Sequence, residues 1–129
     1  MKIDKFNKVV RDYFSRQGEN LDNYDDGGYI ELSRSDRDKV YVECSEKGAV
    51  AVLGREYAEL SSTQLIQLLQ GCDHRVRSAR NVYVGLNGDS EVMYLVRIDE
   101  RNMNVPNLIA EFERLYELHE LFANFDAVT

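Results

Sequence analysis

Few residues in this sequence have the type and spacing that chemistry needs. Cys72 and His74 stand two apart and would present a thiol and an imidazole together on an extended backbone. On a helix the same two positions diverge by about 200° at 3.6 residues per turn. No second ligand pair with metal spacing accompanies them, so a core-facing Cys and a surface His near a helix end is the plainer reading. His119 is the only other histidine, and it lies on an apolar stripe. A packed, hydrogen-bonded histidine fits that place better than a general base. There is no Gly-x-Ser-x-Gly, no phosphate-binding loop and no glycine-rich strand-to-helix turn. "DNYDDGG" clusters three Asp but lacks the alternating ligands and distal Glu of an EF-hand loop, which leaves a solvated acidic loop. "HRVRSAR" brings Arg75, Arg77 and Arg80 together as favourable charge at a helix C-terminus, or as a docking point for an acidic partner. These residues predict no catalytic group, no metal and no cofactor.

The elements that position them follow from apolar periodicity. Ile3, Phe6, Val9, Val10, Tyr13 and Phe14 recur at helical spacing over residues 1–17. "QGENLDNYDDGG" breaks the pattern with turn formers. Three strands follow, "GYIELSRS", "KVYVECSE" and "GAVAVLGREY", joined by short polar links that predict an antiparallel meander. The third is apolar nearly throughout and is expected to be the most buried. "SSTQLIQLLQGCDHRVR" predicts a second helix capped by Ser61 or Ser62, with Leu65, Ile66, Leu68, Leu69 and Cys72 as its stripe. "NVYVGL" and "EVMYLVRID" flank an Asn-Gly turn and form a hairpin. A last helix runs from about 105 to 125, with Asn104 as cap and Pro106 in its first turn. Its stripe is Leu108, Ile109, Phe112, Leu115, Tyr116, His119 and Phe122, widened by Leu118, Leu121 and Phe125. Glu111, Glu113, Glu117 and Glu120 give this helix an acidic outer face. The order α-β-β-β-α-β-β-α in 129 residues predicts one α+β domain, an antiparallel sheet with helices packed on it.

A net charge of −7 repels nucleic-acid phosphates and anionic membranes, so neither is an expected partner. No apolar run is long enough to span a bilayer. "MKIDKFNKVV" lacks the uninterrupted apolar core of a secretory signal, and two cysteines suit a reduced, cytosolic chain.

One strand breaks the pattern. In "EVMYLVRID", Val92, Tyr94, Val96 and Ile98 supply one apolar face. The opposite face is polar at its ends but carries Met93 and Leu95 in its middle. A second cover is required for them: a helix, or another chain.

With its opening "IDKFNKVVRDYF" helix, its "STQLIQLLQ" helix between the strand groups and its closing "LIAEFERLYELHELF" helix, the chain resembles the class I chaperones of bacterial type III secretion systems over nearly its whole length. The polarity of "SRSDRDK" and "SEKG" departs from that pattern, although both suit turns. The resemblance implies a homodimer in the bacterial cytoplasm that binds the extended N-terminal segment of a secreted effector and keeps it soluble and secretion-competent. It implies the secretion ATPase as a partner of the loaded complex, and no enzymatic activity. Mapped residue by residue, it implies effector contacts at Phe6, Val10, Ile30, Met93 and Leu95. It implies a dimer contact through Leu65, Leu68, Leu69 and Val84. The competing readings are an intracellular α+β adaptor or ligand-sensing module unrelated to secretion and, further off, an enzyme using Cys72, His74 or His119.

Overall fold

The computed structural model describes residues 1–58, 60–64, 66, 82–88 and 90–128, the last five by backbone alone. Helix α1 spans Ile3–Arg16. Strands β1 (Tyr29–Ser33), β2 (Asp38–Ser45) and β3 (Gly48–Glu56) follow, then β4 (Val82–Asn87), β5 (Glu91–Asp99) and helix α2 (Val105–Val128). The five strands form one antiparallel sheet in the order β1-β2-β3-β5-β4. The expected meander and hairpin are both present. They join through β3 and β5, which pair over nine positions from Gly48 opposite Asp99 to Glu56 opposite Glu91.

Local chemistry sets the element ends. Helix α1 stops in a Schellman turn: the Gly18 N–H bonds the Ser15 carbonyl, the Glu19 N–H bonds the Phe14 carbonyl, and Gly18 takes the left-handed φ of +78° that this turn requires. Asn104 caps α2, its side-chain oxygen accepting from the Asn107 N–H at 2.9 Å, and Pro106 sits in the first turn where its missing N–H costs nothing. Ser61 and Gln64 make a reciprocal capping box: the Ser61 N–H donates to Gln64 Oε1, and the Gln64 N–H donates to Ser61 Oγ. Ser62, Thr63 and Gln64 are helical, so a helix starts where the sequence predicts one. Leu65, Leu68, Leu69, Cys72, His74, Arg75, Arg77 and Arg80 lie outside the described residues.

Both helices pack on one face of the sheet. That face is built from Ile30 and Leu32, Val40 and Val42, Ala49, Ala51 and Leu53, Val92, Tyr94, Val96 and Ile98. From α1, Phe6, Val10, Tyr13 and Phe14 are buried against it; from α2, Leu108, Phe112, Leu115, Leu118 and Phe122. Each such side chain contributes about 1.5–3 kcal/mol of apolar burial. Tyr13 stacks on Phe112 at 5.5 Å and joins the two helices, while Arg34 donates to the Tyr13 hydroxyl at 2.7 Å.

Two further polar ties cross this interface. Arg55 of β3 grips Asp38 of β2 with two hydrogen bonds of 2.7 and 3.0 Å and reaches Glu120 of α2 at 2.9 Å. Glu120 is thus more than part of a solvated acidic face. His119 is fully buried, edge-on to Tyr94. Its Nε2 donates to the Leu53 carbonyl at 2.8 Å, so Nδ1 accepts from the Tyr57 hydroxyl at 3.1 Å. Burial pushes the imidazole down to about 4. The ring is neutral and fully engaged, which leaves it no lone pair or proton to offer a substrate.

This histidine makes stability depend on pH. The unfolded chain takes up its proton near 6.5 and the folded one near 4. The contribution of His119 is present above pH 6.5 and is lost as pH falls to about 4, on the order of 3 kcal/mol. Urea unfolding at pH 7 and pH 4.5 will show this loss, and His119→Gln, which retains a donor but does not titrate, will flatten it.

Candidate peptide-binding face

The second face of the sheet carries Tyr29 and Glu31 of β1, Lys39, Tyr41 and Glu43 of β2, and Val50, Val52 and Gly54 of β3. Met93, Leu95 and Arg97 of β5 and Tyr83 and Asn87 of β4 complete it. Neither α1 nor α2 packs here. Val52 pairs with Leu95, and Gly54 pairs with Met93. Val50, Val52, Met93 and Leu95 are half-buried. Tyr29 and Tyr83 flank them at 47% and 52% exposure. The face is therefore an apolar strip with an exposed tyrosine on either side.

A polar network is set into it. Glu91 of β5 is only 3% exposed, although it lies at a strand end. Its carboxylate crosses above Gly54 to accept from the Tyr41 hydroxyl at 3.0 Å, and it accepts from Asn87 Nδ2 at 2.8 Å. The crossing is possible because residue 54 has no side chain: a Cβ there would lie 2.6 Å from Glu91 Oε2. Glu56 beside it accepts from the Ser90 hydroxyl and secures the hairpin end. Burial, then the hydrogen bond to Glu91 and the charges of Glu91 and Glu31, hold the Tyr41 phenol well above its ordinary value. Burial and the charges of Glu31, Glu43 and Glu91 raise Tyr29 as well.

Two depressions adjoin here. One, of about 300 Å³, is lined by Tyr29, Tyr41, Glu43, Val50, Val52 and Met93, with Asn87 at its end. The other, of about 440 Å³, runs along the edge of β1 past Leu21, Tyr24, Ile30 and Leu32. Tyr29 is the one lining residue they share, where the sheet edge meets the open face. Among the described strands β1 is an edge, so its outer backbone groups pair with no other strand and offer a template for an added one.

The residues nominated from sequence separate accordingly. Met93 and Leu95 lie together on the open face. Phe6 and Val10 are 0% exposed and Ile30 is 5% exposed, all in the core under the helices. The stripe of α1 is spent on the sheet, so Phe6 and Val10 offer no surface in this structure, and Ile30 shows only its margin in the depression beside β1. Val84 lies half-buried on the helix-covered side of edge strand β4, with Leu86 beyond it 40% exposed. The "DNYDDGG" loop is held by Arg11, which pairs with both carboxylate oxygens of Asp26 and lies over the Tyr24 ring. Among the described residues no group of three His, Cys, Asp or Glu could hold a metal, and no helix is long and apolar enough to cross a membrane. Periodicity did not reveal Glu91, Tyr41 or Gly54. A Glu at a strand end reads as solvated, and a Gly in an apolar strand reads only as a weak point.

Neither a family model nor a curated protein matches the sequence. Solved structures do match the fold. A chain of the HopA1–SchA chaperone–effector complex superposes with a TM-score of 0.68 at 15% identity, covering 95% of this chain and 97% of that one. A chain of the ExoU–SpcU complex from the type III secretion system of Pseudomonas aeruginosa gives 0.56 at 18% identity, covering 86% and 92%. YbjN from E. coli, a candidate transcription regulator, gives 0.56 at 7% identity, covering 89% and 86%. The protein therefore has a class I type III secretion chaperone-like fold. The match runs over nearly the whole chain, as the sequence resemblance does.

The Glu91 network supports a test of this face. Gly54→Ala will push Glu91 off Tyr41 and destabilise the protein by about 1–3 kcal/mol in urea unfolding. Tyr41→Phe in the Gly54→Ala background will then cost less than in the wild type, because the bond it removes is already broken.

Proposed function

We propose that the protein is a type III secretion chaperone that holds the extended N-terminal segment of a secreted effector on the open face of its sheet. The observation that carries this reading is an apolar strip, Val50, Val52, Met93 and Leu95, that neither α1 nor α2 covers, within a fold whose neighbours include chaperone–effector complexes. A chain laid along a track over Tyr29, from the depression beside β1 to the one at Met93, would gain backbone hydrogen bonds at the edge and apolar contacts over Met93. A disordered segment loses ordering entropy on binding, and a long shallow track suits that demand better than a closed pocket does. The net charge of −7 keeps such a surface dispersed between clients.

Of the effector contacts nominated from sequence, this reading keeps Met93 and Leu95 and adds Val50, Val52 and Tyr29. We infer a homodimer through Leu65, Leu68 and Leu69 of the second helix and Val84 of β4. The exposed Leu86 on the same strand supports an apolar contact there. The loaded complex would be handed to the secretion ATPase in the bacterial cytoplasm, with no chemistry by the carrier. An adaptor role outside secretion draws on YbjN, which shares the fold; fold alone does not choose between functions.

Met93→Asp with Leu95→Asp tests the reading. The double variant is expected to stay folded and to lose its partner in pull-down from the native cell, whereas the wild type retains one dominant protein through that protein's N-terminal segment. Light scattering of the wild-type complex will report two copies of the chain. A wild-type monomer with no protein partner would sink the proposal. A molten double variant would place Met93 and Leu95 in the core instead.

A further inference from the structure

We propose that the depression between Tyr29, Tyr41 and Met93 takes a lysine or arginine side chain of the bound segment, its stem along Val50, Val52 and Met93 and its charged head between Glu43 and the tyrosine rings. This rests on the reading that the open face holds an extended chain, and it specifies that chain's chemistry.

The lining has the two parts such a side chain needs. Val50, Val52 and Met93 supply an apolar wall of the kind along which long aliphatic stems lie. Tyr29 and Tyr41 bring aromatic rings to the lining, and Glu43 brings a carboxylate. Three carboxylates stand around the depression: Glu43 pairs with Tyr29 across the sheet, Glu31 pairs with Tyr41, and Glu91 accepts from the Tyr41 hydroxyl. Among the described residues none of the three pairs with a cation of this chain. The described cations of this face are turned elsewhere: Lys39 lies toward the Arg34 end of β2, and Arg97, opposite Val50, carries its guanidinium over the Tyr83 ring of β4.

Charge also decides against the other occupants. A second copy laid face to face would set Glu31, Glu43, Glu56 and Glu91 against the same four carboxylates, with Lys39 and Arg97 the only cations among the described residues of this face to offset them. A purely apolar segment would desolvate Glu43 without giving it a counter-charge. A segment alternating apolar and basic residues meets both demands.

Two fluorescein-labelled ten-residue peptides test this. Both alternate valine and serine, and they differ at one central position, lysine in one and norleucine in the other. Binding to the full chain is read by anisotropy at 50 and 500 mM NaCl, and location by the 13C methyl shift of Met93. The lysine peptide is expected to bind about tenfold tighter at low salt, with the gap narrowing at high salt. Glu43→Gln, at an exposed position that leaves the fold intact, is expected to erase the gap. Equal affinities with the Met93 methyl shifted by both peptides would overturn the cation pocket and leave the docking face standing. A lysine preference untouched by Glu43→Gln would overturn the assignment to this depression. If neither peptide shifts the Met93 methyl at millimolar concentration, the docking face falls as well.

Discussion

Both described helices, α1 and α2, seal the same side of the sheet, and most of the molecule's character follows from that choice. The side is set by the β3–β5 pairing. With Leu53 opposite Tyr94 and Ala51 opposite Val96, the large apolar side chains of both strand groups fall on one face. A slip of one residue would move Tyr94 and Val96 to the other side and leave α2 with nothing to cover. Once the register is fixed, Val52, Leu95 and Met93 fall on the opposite face, where α1 and α2 do not reach.

The interior ties make that arrangement specific rather than merely greasy. Arg55 links β2, β3 and α2 through Asp38 and Glu120, and His119 links α2 to the β3 backbone at Leu53. Each group would be costly to bury alone. Together they define where along the sheet α2 must sit, because only one position satisfies all of them. On the open side, the Glu91–Tyr41–Asn87 network spans β5, β2 and β4 above Gly54 and holds flat the surface that carries Met93.

Much of the fold was legible because it is encoded locally. Asn104 with Pro106, Ser61 with Gln64, and Asn87 with Gly88 each announce an element boundary through chemistry that operates over three or four residues. The meander and the hairpin follow from alternation. The join between them does not, since no short-range signal tells β3 that its second neighbour is β5. Arg55 and Asp38 escaped notice because alternation reads a charge in a strand as facing water. Phe6, Val10 and Ile30 were nominated for a partner because a stripe looks the same whether its cover comes from within or from outside. Met93 and Leu95 stood out for a firmer reason: their strand already had one complete apolar face, so a second demanded an explanation.

The strand order also has a consequence for how the chain is made. The strand at the centre of the sheet, β3, is synthesised well before its neighbour β5, and α1 emerges long before α2, its packing partner. A nascent chain that has reached Glu56 holds a three-stranded meander with one long edge unpaired and much of its apolar face uncovered. Pairings of such high sequence separation form slowly. During that interval the unpaired edge and the uncovered apolar face expose the chain to aggregation.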